Sequence, residues 1–177
     1  MVSGASRSSE ERSGAREVPS AAFGRSNRAR VLLVGSSGGH LAQLYRLKPW
    51  WETHDRVWVT FHKRDATSLL QGERVVWGHH PTTRNIPNLI RNARVAWIVL
   101  RRFRPHVIVS TGAGIAFPFF LLANFFGART VYVEVFDRID SPTVTGRLCY
   151  PLADLFVLQW PEQLRFYPRG EVVGALI

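Results

Sequence analysis

Between positions 30 and 173 the chain alternates short β-branched or aromatic runs with stretches of helical spacing. The runs 31–34, 57–61, 74–77, 106–110, 130–134, 155–159 and 172–173 predict strands. Between them, 39–47, 65–70, 86–103, 117–126, 143–152 and 162–166 predict helices. Strand and helix in strict turn specify a Rossmann-like α/β domain, a parallel sheet with helices on both faces. Ligands of such sheets bind beyond the carboxyl ends of the strands.

The longest helix, 86–103, has two distinct faces. Ile86, Leu89, Ile90, Ala93, Ala96, Trp97, Leu100 and Phe103 fall on one arc and are expected to face the core. Arg91, Arg94, Arg101 and Arg102 gather on another, with Val95, Ile98 and Val99 beside them. Cations mixed with apolar side chains suit a lipid headgroup surface, so this face is the expected membrane contact; solvated or partner-paired arginines are the alternative. Residues 1–28, rich in Ser, Gly, Ala and Arg, lack the bulky side chains needed to order a chain and predict a flexible tail before a domain at 29–177.

The formal net charge is +10, of which the tail and its border supply only +3, so the folded part itself is expected to meet anions. No stretch reaches the roughly 18 to 20 apolar residues of a spanning helix, and the best, 115–126, is interrupted by Pro118 and Asn124. Membrane attachment is therefore expected to be peripheral or through a partner. A lone Cys149 and no signal-peptide pattern point to the cytoplasmic face. His79 and His80 have no Cys or carboxylate at ligand spacing, so no metal is expected. Nucleic-acid binding is disfavoured, since no familiar motif appears and the basic residues cluster on one helix.

Two glycine-rich turns follow strands. Gly35-Ser-Ser-Gly38-Gly39-His40 opens the first helix, and Ser110-Thr111-Gly112-Ala113-Gly114 precedes another. Such turns let backbone N–H groups approach a phosphate at a helix N-terminus, although tight geometry alone also calls for glycine. Neither matches the dinucleotide or P-loop spacing. His40 sits where positive potential favours neutral imidazole, which makes it the first candidate for a general base, the other reading being a histidine that simply bonds a backbone group or a phosphate. Glu134, ending an apolar strand, and Asp137 beyond it are the alternatives. Arg138 and Arg147 are candidate phosphate contacts or ordinary surface residues, and Ser141 or Thr143 a helix cap.

The segments GSSGGHLAQL (35–44), TTRN (82–85), RPHVIVSTGAGIAFPFF (104–120), VYVEVFDRIDSPTVTGRLCYPLAD (131–154) and LQWPEQLRFYP (158–168) closely resemble the oligosaccharide-biosynthesis family. That family contains the membrane-anchoring subunit of the two-chain UDP-N-acetylglucosamine transferase and bacterial exopolysaccharide counterparts. The resemblance implies the N-terminal half of a GT-B glycosyltransferase, with a separate C-terminal-type subunit carrying most of the UDP-sugar site and no resident cofactor. It implies a sugar transfer, GlcNAc by default, onto a lipid-linked acceptor. A more distant resemblance to the enzyme that glycosylates lipid I implies that Gly38, Gly39 and His40 form one acceptor-diphosphate loop and Gly112 to Gly114 the other, and that Glu134 is an acidic residue of the cleft; Thr111 beside the second loop and Arg138 are the further expected diphosphate contacts. The polar, Arg-rich start, in place of a spanning helix, is expected of a bacterial member. A scaffold that contributes no chemistry is the competing expectation.

Overall fold

The strands predicted from the sequence form one wholly parallel sheet, seen in a computed structural model that describes residues 28–176. The expected tail at 1–28 lies, apart from Arg28, outside the described residues. The strands are β1 (Arg30–Val34), β2 (Asp55–Phe61), β3 (Val75–Gly78), β4 (Val107–Ser110), β5 (Arg129–Val133), β6 (Leu155–Leu158) and β7 (Glu171–Val172), in the order β3-β2-β1-β4-β5-β6-β7. The helices are α1 (Gly39–Arg46), α2 (Lys48–Trp51), α3 (Arg64–Leu69), α4 (Ile86–Phe103), α5 (Ala116–Ala123) and α6 (Val144–Cys149).

Alternate residues of the central strands feed two cores. Leu32, Val34 and Ile108 pack with Ala96 and Leu100 of α4, Phe119 of α5 and Cys149 of α6. Val31, Leu33 and Val109 pack with Leu41 and Leu44 of α1, Trp51 of α2 and Ala66 of α3. Burial on both faces is why β1 reads as an unbroken apolar run, and each of its four buried Val and Leu side chains contributes about 1.5–3 kcal/mol.

Three predicted elements differ in detail. The 117–126 helix starts one residue earlier, is α-helical to Ala123 and tightens to a 3₁₀ turn at Asn124–Phe126, where Gly127 takes φ 67° and ends it. The 143–152 helix likewise becomes 3₁₀ at Tyr150–Leu152, which holds Pro151, and 162–166 is a 3₁₀ turn at Pro161–Arg165. The four-residue α2 was not predicted, being too short to show a period; it drives Trp51 into the core.

Helix α4 has the predicted bounds but is turned by about a quarter turn from the predicted orientation. Its buried face is Asn88, Asn92, Ala96, Val99 and Leu100. The two amides belong inside because the β3–α4 connection needs them. Asn92 donates to the His79 carbonyl (2.9 Å) and accepts from its N–H (2.8 Å), and Asn88 donates to the Pro81 carbonyl (2.9 Å). Backbone groups left unpaired there would cost more than apolar burial at two positions returns. Ile86, Leu89, Ile90 and Trp97, expected in the core, face outward instead; Ile86 is 69% exposed.

Candidate functional site

The sheet order reverses between β1 and β4, adjacent strands whose following helices α1 and α5 lie on opposite faces. A crevice opens where the connections diverge. Both glycine turns border it. The first runs through Gly38, at φ 80°, into α1; the second passes Gly112, at φ 110°, and Ala113, at φ 65°.

His40 and Thr111 tie the turns together. His40 Nδ1 lies 2.7 Å from the Thr111 carbonyl, and the Thr111 hydroxyl donates to the His40 carbonyl at 2.7 Å. A carbonyl only accepts, so neutral His40 carries its proton on Nδ1 and leaves Nε2 as a bare acceptor. Burial pulls the His40 pKa below the ordinary histidine value, against the Thr111 hydrogen bond and the negative charge of Asp137, which raise it. Glycine at 112 answers a close approach: a Cβ there would lie 2.7 Å from the Tyr132 hydroxyl and 3.3 Å from His40 Cε1. Gly114 is pressed in the same way by Thr82, whose Cβ would lie 2.9 Å from an added methyl. Gly112 N–H is already given to Ser110 Oγ (3.0 Å).

Gly38 and Gly39, the other expected diphosphate residues, are exposed on the first turn. The Gly38 N–H is held by a residue the sequence reading did not single out, Asp65 of α3, at 2.6 Å.

Glu134, expected at the cleft, is fully buried. Its carboxylate accepts from the Val135 N–H (3.1 Å) and from the Thr143 hydroxyl (3.2 Å), while Thr143 caps α6 by accepting from Gly146 N–H (2.9 Å). The Tyr167 hydroxyl faces the same carboxylate. Burial raises the Glu134 pKa despite these donors, and burial with the nearby carboxylate pushes Cys149 up to about 12. In this position Glu134 braces the start of α6 and is shut off from any ligand in the crevice. The capping role expected of Thr143 is the observed one.

Asp137 and Arg138 are exposed on the 134–143 loop, and the negative charge of Asp137 raises the His40 pKa against the effect of burial. The QWPEQLR segment explains how that loop is held. Gln159, Gln163 and Trp160 side chains donate to the carbonyls of Glu134 (2.8 Å), Val135 (3.0 Å) and Phe136 (2.7 Å), and Arg165 to that of Ile139 (3.2 Å). A loop cannot make its own ladder, so side chains from the next connection satisfy it. Arg91, Arg94, Arg101 and Arg102 are exposed on α4, apart from these contacts.

The TTRN segment, first noted only as part of the resemblance, walls a hollow of about 470 Å³ with Gly114, Phe117, Val144 and Leu148. Nothing in its spacing marked it.

The sequence model of the Alg14-like oligosaccharide biosynthesis proteins matches residues 70–176 of the 177, more than half of the chain. The chain belongs to the Alg14-like family. Family members called UDP-N-acetylglucosamine transferase subunit ALG14 are similar to it over most of its length. The Debaryomyces hansenii protein is 25% identical over 204 residues, covering 96% of this chain and 84% of that protein. The Mus musculus protein is 22% identical, covering 84% and 83%. The Eremothecium gossypii protein is 38% identical over 104 residues, covering 52% of this chain and 46% of its own.

Among solved structures, Acinetobacter baumannii MurG matches with a TM-score of 0.64 at 14% identity, over 76% of this chain and 42% of that one. Neisseria meningitidis UDP-GlcNAc 2-epimerase bound to UDP-GlcNAc matches with a TM-score of 0.66 at 12% identity, over 83% and 47%. At these identities the likeness is one of fold, and the fold is that of GT-B proteins, as the sequence predicted. The Alg14-like chain spans less than half the length of these two solved chains.

Proposed function

We propose that this Alg14-like chain is the acceptor-binding subunit of a two-component glycosyltransferase, which moves a sugar, GlcNAc by the names of its relatives, from a UDP-sugar to a polyprenyl-diphosphate-linked acceptor. The observation that carries this is the His40–Thr111 contact between the two glycine turns, which puts the proton of a neutral imidazole on Nδ1 and leaves Nε2 as the acceptor. The acceptor hydroxyl attacks the anomeric carbon as the bond to the UDP oxygen breaks. UDP departs with that electron pair, and the hydroxyl proton passes to His40 Nε2. Asp137 supplies negative charge toward the imidazolium that forms. The diphosphate of the acceptor lies on the second turn at Thr111–Gly114, with Gly38, Gly39 and Arg138 at its margin. A separate subunit binds most of the donor; the word "subunit" in the relatives' names supports this. Turnover of His40 variants, with acceptor binding measured in parallel, tests the assignment.

The same subunit is proposed to rest on the membrane surface through α4. No helix among the described residues is long and apolar enough to cross a membrane. Ile86, Ile90, Trp97 and Ile98 are each about half exposed or more, and Trp97 meets Phe126 edge-on beside Phe125, which is 79% exposed. With Arg91, Arg94, Arg101 and Arg102 alongside, this surface combines apolar insertion with attraction for anionic headgroups. Liposome sedimentation should show binding that needs anionic lipid and weakens with salt. Changing the four arginines to Gln should lower the partition coefficient by up to about 1,000-fold at low salt, at about 1 kcal/mol per cation. Unchanged binding by that variant would remove α4 from the membrane contact.

A further inference from the structure

The hollow beside TTRN has chemistry that the crevice lacks. Its walls are mostly apolar, with Leu89 from α4, Phe117 from α5, and Val144 and Leu148 from α6, and Thr82, Thr83, Asn85 and Thr145 between them. One cation, Arg84, stands at its rim, and no carboxylate lines it. Arg84 makes no ion pair among the described residues and is held at φ 51°, a backbone conformation that costs a non-glycine residue energy and is retained where the surroundings enforce it. Asn85 beside it caps α4 by accepting from the Asn88 N–H (2.9 Å), so the positive end of an 18-residue helix opens at the same rim.

The position of the hollow selects among amphiphiles. Gly114 is one of its walls, where an added Cβ would lie 2.9 Å from Thr82 Cβ, and two residues earlier an added Cβ at Gly112 would lie 3.3 Å from His40 Cε1. A ligand whose phosphates sit on the second turn therefore has its next atoms at this opening. At the other end, the exposed apolar surface of α4 continues through Ile90 and Trp97. A volume of about 470 Å³ suits a short piece of a long chain, not the whole.

Resting on the acceptor reading above, we infer that this hollow binds the phosphate-proximal isoprene units of the acceptor lipid, with Arg84 on the phosphate and Leu89, Phe117, Val144 and Leu148 around the hydrocarbon. The diphosphate is thus shared between the second glycine turn and Arg84, and the chain leaves toward the membrane along α4. Recognition extends to the lipid, so the subunit selects a prenyl diphosphate over a diphosphate alone.

Calorimetric titration of the full chain tests this with three probes: inorganic pyrophosphate, farnesyl diphosphate and dihexanoyl phosphatidylglycerol. Farnesyl diphosphate should bind at least about tenfold more tightly than pyrophosphate, from burial of its first units. Val144 and Leu148 are 77% and 47% exposed, so changing both to Gln leaves the core intact. That variant should lose the preference while holding pyrophosphate within about twofold, and Arg84→Gln should weaken both diphosphates by about fivefold. Equal binding of the two diphosphates by the unaltered chain, or a preference that survives the double variant, would overturn the hollow while leaving the acceptor reading standing. Phosphatidylglycerol binding as tightly as farnesyl diphosphate would make this a bilayer-lipid site and overturn it too. No binding of either diphosphate would remove the acceptor reading and this inference with it.

Discussion

Replacing His40 with Ala is expected to lower turnover of the assembled transferase by about 100-fold or more, the usual cost of losing a general base. Acceptor binding should change much less, because the imidazole acts on the proton and not on the diphosphate. The pH dependence has a definite sign. Burial holds the His40 pKa below the ordinary value of about 6.5, and the neutral form does the work. Activity as kcat/KM should therefore rise with pH through an apparent pKa below that value, be fully present above it, and disappear as pH falls through it. His40→Gln should abolish this limb. Asp137→Asn removes a charge that raises the His40 pKa, so it should move the limb to still lower pH. Glu134→Gln, by contrast, should keep most turnover, since that carboxylate is shut inside the fold. A His40→Ala enzyme within about threefold of the unaltered one would remove the base assignment.

Gly146→Ala is expected to cause a large loss of stability. A Cβ there would collide with the Glu134 carboxylate and the Tyr167 hydroxyl and lie 2.7 Å from Thr143 Oγ1. None of these groups has room to withdraw: Glu134 and Tyr167 are 0% and 1% exposed, and Thr143 is bonded on both sides. Overpacking of this kind costs about 1–3 kcal/mol, and prying apart a buried polar cluster adds to it. A fall in melting temperature of about 5–10 °C follows for a domain of this size. The 134–143 loop and α6 share this cluster, so Asp137 should lose its fixed place and the acid limb of the pH profile should shift with the loss of stability. A melting temperature within about 1 °C of the unaltered chain would show that α6 can shift freely and that the cluster is not rigid.

The sheet and its glycine turns were legible because both depend on local pattern. β1 from Val31 to Val34 and β4 from Val107 to Val109 are unbroken apolar runs, and the turns after them need glycine where the backbone takes positive φ or neighbours crowd in. His40 stood out as the histidine within such a turn, but its partner, the Thr111 carbonyl, is 71 residues away and carries no side-chain signature. The same holds for Asp65 on Gly38 and for the clamp from Gln159, Trp160 and Gln163, whose acceptors are backbone carbonyls. Glu134 was misplaced in depth because alternation along β5 carries it to the Tyr132 side, beneath α6, while the sequence shows only that a carboxylate ends the strand. The turn of α4 escaped the helical wheel because two asparagines win the inner face by satisfying the backbone of the preceding loop. Hydrophobic period alone assigns such a face to solvent.

Transfer of labelled GlcNAc from UDP-GlcNAc to a GlcNAc-diphosphate lipid separates the proposed two-component enzyme from its competitors in one measurement, run with this chain alone, with a separately produced donor-binding subunit alone, and with both. Transfer should appear only in the mixture, and only while His40 is intact. Robust transfer by either protein alone, or by a mixture containing His40→Ala at the unaltered rate, would contradict a shared site in which this chain binds the acceptor and supplies the base.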